Sequence, residues 1–169
     1  MDGGLLRDAF AHHVWATIRL IDACAELRPA QLETAAPGTY GSIADTLRHL
    51  VAADASYLAV IGGEPEPPLD EARMGLEDLR AEMGRHGDGW TRLLDRDLDA
   101  AAVLVRRRVD GSETHAPLGI RLAQVLHHGS DHRSQVCTAL TLLGAEPPAI
   151  DVWGFGRVQG RILDVPPTP

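Results

Sequence analysis

Eight histidines are distributed along this chain of 169 residues. Two of them, His128 and His132, stand four apart in LGIRLAQVLHHGSDHRSQVCTALTLLG, the stretch from Leu118 to Gly144. On an α-helix that spacing places one imidazole a turn above the other, at a separation that one metal ion bridges. The rest of the same face is apolar: Leu118, Leu122, Val125, Gly129, Val136, Leu140 and Leu143 recur with His132 at intervals of three and four. A polar ring on an apolar stripe costs free energy until something satisfies it. A metal ion would do so, and so would a hydrogen bond to a core neighbour. His127 lies about a hundred degrees around the helix from His128 and faces a flank or solvent.

Other chemistry is excluded by composition. The chain has no lysine and no asparagine, and all sixteen cationic side chains are arginine. No lysine Schiff base and no phosphate-loop lysine exist here. The formal net charge of -8 without a basic run argues against nucleic acid or an anionic membrane as partner. Cys24 and Cys137 are too few, and too embedded in helical pattern, for a disulfide framework. Cys137 follows His128 by about half a turn of angular offset, the wrong side for the same metal, and reads as core filler. No leader pattern or membrane-length apolar run is present, so a soluble, cytoplasmic protein is expected.

The elements that must position the histidines follow from periodicity. Leu5 to Leu27 reads as a first helix with Leu6, Phe10, Val14, Thr17, Ile21 and Cys24 or Ala25 inward and a stop at Pro29; His12 and His13 sit on it, His13 at the edge of the stripe. A loop from Ala30 to Gly41 ends at Ser42, an N-cap with Asp45 at the capping-box position. The second helix runs to about Ile61, with Ile43, Leu47, Leu50, Tyr57 or Leu58 and Ile61 inward, and stops at Gly62 and Gly63. His49 flanks that stripe. Residues 64–69 read as a stiff proline-rich loop, and Asp70 to Leu98 as a third helix whose Gly84, Gly87 and Gly89 suggest a kink, with His86 exposed. Ala101 to Pro117 suggests a small hairpin turning at Asp110 and Gly111, with Arg106 to Arg108 on a solvated edge and His115 just before the histidine helix. After Gly144 an extended tail is expected, pinned by Trp153 and Phe155. The sum is one all-α domain over residues 1–169, a four-helix bundle.

Three blocks in order, FAHHVWA, GSIADTLRHLVAADASYL and VLHHGSDHRSQV followed by TLLGAEPP, resemble the DinB/YfiT-like metal-binding four-helix proteins, which include bacillithiol S-transferases and relatives of mycothiol-dependent maleylpyruvate isomerases. The resemblance implies an up-down-down-up bundle, often a homodimer, with one histidine from the second helix and two from the fourth around a divalent metal. The matching positions are His49, His128 and His132, followed by Arg133; Ser134 stands where the family commonly has glycine, and Gln135 is kept. Three imidazoles would leave coordination positions open, as in a catalytic site. Zinc is the first expectation and nickel the second, since imidazole suits both. Such a metal would activate either a thiol or water, and the relatives favour the thiol. The expected activity is transfer of a low-molecular-weight thiol, mycothiol or bacillithiol, to a small electrophile; a metal-dependent hydrolase or a non-catalytic metal-binding stress protein are the alternatives. Arg133, as a binder of a substrate carboxylate, and Gln135 are the candidate catalytic residues. Asp54 and Asp131 are candidates to orient ligating imidazoles, although Asp54, five residues after His49, would have to serve another helix.

Overall fold

A computed structural model of the chain describes residues 3–65 and 70–165. Four long helices carry the fold: α1 (Gly3–Cys24), α3 (Ile43–Gly62), α4 (Leu76–Leu94) and α5 (Leu118–Leu142), with short helices α2 (Pro29–Leu32) and α6 (Val152–Val158) and strands β1 (Val103–Arg107) and β2 (Glu113–Pro117) between or after them. Around the bundle the order is α1, α4, α3, α5. The pairings set the directions. Asp22 meets Arg80 and Arg7 meets Asp95, so α4 runs antiparallel to α1. Asp54 meets Trp90 and Arg48 meets Met74, so α3 is parallel to α4. Gln124 reaches Tyr57 and Gln135 reaches Tyr40, which makes α5 antiparallel to α3. The bundle is therefore up-down-down-up.

The helix boundaries follow local chemistry. Ser42 Oγ accepts from the Asp45 amide at 3.1 Å and Asp45 returns to the Ser42 amide, the expected capping box. Gly63 ends α3 at φ 78°, a left-handed conformation that glycine adopts without a Cβ clash. Pro29 does not stop the first helix, which ends at Cys24; it opens α2, where its missing amide costs nothing. The third helix is shorter than its periodicity suggests, starting at Leu76 after a 3-10 turn at Glu71–Arg73. It passes through Gly84, Gly87 and Gly89 as one helix. Two of these glycines admit neighbours: a Cβ at Gly87 would lie 3.1 Å from Val14 and one at Gly89 2.5 Å from Leu58. The proline-rich loop falls largely outside the described residues. The hairpin is present, with Val105 opposite His115, and Arg121 on α5 holds it by donating to the Leu104 and Thr114 carbonyls. In the tail, Asp151 accepts from the Gly154 amide and caps α6, so the segment is helical there and not extended; Phe155 is buried, whereas Trp153 is 68% exposed and does not pin it.

The apolar core falls into two clusters along the bundle. One gathers Leu20, Ile21, Leu47, Val51, Met83, Val136 and Leu140; the other gathers Phe10, Ile61, Trp90, Leu93, Leu122 and Val125. Between them lies a buried polar layer: His13, Thr17, Asp54, His86 and Arg133.

Candidate metal centre

The side chains of His128 and His132, one turn apart on α5, meet that of His49 from the antiparallel α3. His128 Nε2 is 3.2 Å from His49 Nε2 and 3.1 Å from His132 Nε2, and the three rings offer nitrogens all within 4.8 Å of one another. Three bare nitrogens at such separations repel unless a cation or shared protons lie among them. His132 is buried, while His49 and His128 are only partly so, which leaves the cluster open on one side.

The surroundings orient one ring and favour the neutral state of the other two. Gln135 Oε1 accepts from the Tyr40 amide at 2.9 Å and lies 3.2 Å from His132 Nδ1. A carbonyl oxygen there places the proton on Nδ1 and leaves Nε2 bare for a ligand. Burial lowers the His128 pKa to about 4, helped by the neighbouring His132 and His49. Burial, then His132, also lowers that of His49. Tyr40 stacks on His49 with ring centroids 4.1 Å apart and planes 12° apart, and Tyr57 stands edge-on to His128 at 5.6 Å. The donor set therefore fits a divalent, imidazole-preferring ion such as zinc or nickel.

The sequence pattern of the DinB family matches residues 3–163. The chain belongs to the DinB family. A search of curated proteins finds no match.

In this DinB chain the other expected residues divide between two places. Gln135 is at the imidazole cluster. Arg133, although it follows His132 directly, turns toward α1: it is only 4% exposed, and its Nη1 lies 2.9 Å from His13 Nδ1 and 3.2 Å from Thr17 Oγ1. Asp54 serves other helices, as its offset from His49 required. It accepts from His13 Nε2 at 3.0 Å and from Trp90 Nε1 at 3.0 Å, and His86 Nδ1 stands 2.9 Å away without the alignment of a hydrogen bond. Burial alone would raise the Asp54 pKa; the adjoining His13 and His86 outweigh it and hold the carboxyl well below the usual range. Asp131 is exposed.

His13 is central to the first helix's inward face, not at its edge, because Ala16, Thr17 and Leu20 beside it are all fully buried. His86, expected in solvent, is 4% exposed: Gly87 and Gly89 let α1 and α3 close over it, and its Nε2 faces Glu82 at 3.2 Å. His115 is exposed and pairs with Glu113. His12 Nε2 donates to the Ile150 carbonyl at 2.8 Å, tying α1 to the tail. His127 is exposed, and both cysteines are free thiols, Cys24 fully buried. No described helix is long and apolar enough to cross a membrane.

Residue patterning did not single out Tyr40 and Tyr57 as neighbours of the site. Tyr57 was legible only as an inward position on the second helix, and Tyr40 lies in a loop where no periodicity exists to place it.

Proposed function

We propose that this chain is a divalent-metal-dependent enzyme, a transferase that delivers the sulfur of a low-molecular-weight thiol, mycothiol or bacillithiol, to a small electrophile. The observation that carries the reading is the donor set: three imidazoles and no fourth protein ligand among the described residues, with two of the three only partly buried. A structural zinc site is closed by four ligands, whereas a catalytic one keeps a position for a reactant. His49, His128 and His132 would hold the ion, zinc before nickel. Bound there, it would supply Lewis acidity, lowering the pKa of a thiol or of water toward neutrality.

The chain's own residues do the rest. Gln135 fixes the His132 tautomer. Tyr40, 57% exposed, covers one side of His49 and excludes water from it. The Tyr57 hydroxyl, 3.3 Å from Gln124 Nε2, is a polar group at the rim of the cluster against which a small electrophile would be oriented.

The test is to purify the chain without chelator, measure bound metal, substitute cobalt, and follow its absorption as mycothiol, bacillithiol or glutathione is added. A thiolate-to-cobalt charge-transfer band with one of them supports the transferase. A metal-replete protein whose spectrum ignores all three overturns it. His49→Ala is expected to lose the metal, and full occupancy in that variant would refute the three-histidine centre.

A further inference from the structure

A cavity of about 530 Å³ opens between α1, α5 and α6, bordered by Leu126, Arg133, Val152, Phe155 and Ile162 and by Ser130 at its mouth. None of the three converging imidazoles borders it. Its size is in the range that holds small organic molecules, and so is its make-up of apolar walls around a few polar groups.

The polar group is unusual. Arg133 is a cation buried to 4% exposure, yet the atoms that meet it belong to neutral partners: His13 Nδ1, Thr17 Oγ1 and, at 3.3 Å from Nη2, Ser130 Oγ. His13 Nδ1 must accept from Arg133, so the His13 proton sits on Nε2 and goes to Asp54; that carboxylate reaches the guanidinium only through the imidazole. Among the described residues no carboxylate lies within 4.0 Å of Arg133. The other arginine at the cavity, Arg161, is paired with Asp8. A desolvated guanidinium at an apolar cavity calls for an anion, and its planar fork suits a carboxylate.

We propose that this cavity binds a small amphipathic carboxylate, its anion on the Nη2 edge of Arg133 beside Ser130 and its hydrocarbon or aromatic body against Leu126, Val152, Phe155 and Ile162. The site lies on the α1 side of α5, away from the face that meets α3, and it does not depend on the metal. It also gives Arg133 a carboxylate partner at a place other than the imidazole cluster.

The experiment is isothermal titration of the full chain with octanoate and with octanamide, which has the same apolar body and no charge. Octanoate is expected to bind at one site and octanamide roughly ten- to a hundredfold more weakly, the difference between a charge-assisted and a neutral hydrogen-bonded contact. Arg133→Met should reduce octanoate to the level of the amide. Because Arg133 is buried, that variant is first checked for native circular dichroism; if it does not fold, Ser130→Phe, at an exposed position, fills the mouth and should abolish binding of both ligands. His49→Ala should bind octanoate as the parent does. Equal affinity for acid and amide, no octanoate heat at millimolar concentration, or binding lost in His49→Ala and retained in Ser130→Phe would each overturn the proposal.

Discussion

Gln135 holds two donors with one oxygen, the Tyr40 amide and the His132 ring. Truncating it frees the His132 ring to pivot and to exchange tautomers. Gln135→Ala should weaken zinc binding by roughly ten- to a hundredfold, measured by competition with a chromogenic chelator; an unchanged affinity would mean that ring packing alone orients His132. Asp54 is the other side chain on which a single change has a large consequence. It is the buried anion among His13, His86 and Trp90, with Glu82 beyond His86 and Arg133 beyond His13. Asp54→Asn should cost about 3–5 kcal/mol at neutral pH, as for other buried charge networks that lose one partner. The sign of its pH dependence is set by a folded pKa below the unfolded one. As pH falls below about 4 the unfolded chain takes up a proton that the folded chain still refuses, so stability drops with falling pH until the folded group also titrates. Urea unfolding at a series of acid pH values should show a flatter acid limb in Asp54→Asn than in the parent.

At the level of the helix, glycines separate positions that need space from positions that do not. A Cβ on Gly129 would stand 2.4 Å from the His13 ring, which is fixed between Asp54 and Arg133 and has nowhere to move. A Cβ on Gly84 meets nothing within 4 Å. Gly129→Ala should therefore destabilise by about 1–3 kcal/mol or more through overpacking, while Gly84→Ala should stabilise by up to about 1 kcal/mol through helix propensity. Thermal unfolding of the two variants measures the contrast, and a Gly129→Ala protein as stable as the parent would show that α1 and α5 can separate at this level. Gly129 also lies between the two inward α5 histidines, so the close approach of α1 and the presentation of His128 and His132 toward α3 depend on the same turn of helix.

Across the whole molecule, the imidazole cluster bridges α3 and α5, which are far apart in the chain and adjacent in the bundle. A ligand that binds only the folded arrangement adds stability in proportion to the logarithm of its concentration. Zinc should raise the unfolding temperature progressively, a chelator should reverse the rise, and His49→Ala should show neither effect; scanning fluorimetry decides it. The four-helix bundle was legible in the sequence because Leu118, Leu122, Val125, Val136 and Leu140 repeat at helical spacing, and because Ser42 with Asp45 and Gly63 mark where the second helix begins and ends. His128 and His132 were legible as a pair for the same reason: four residues along one helix is a local distance. His49 was reached only through the resemblance to a family, since no local rule states which helix lies opposite.

The misreadings of His13 and His86 have one cause. His13 and His86 are polar residues at inward positions, and polarity alone suggests solvent or the edge of a stripe; Asp54, four after Leu50 and seven before Ile61, lies inward with them. What buries them is their approach to the one carboxylate of Asp54 across three helices, a property of the packed bundle that no single helix possesses. The chain by itself determined its helices, their caps and the two-histidine turn, because these depend on interactions within a few residues. The tertiary structure alone decided that three imidazoles converge, that Arg133 turns its charge toward α1, and that a polar layer divides the core, because each depends on side chains brought together from separate helices.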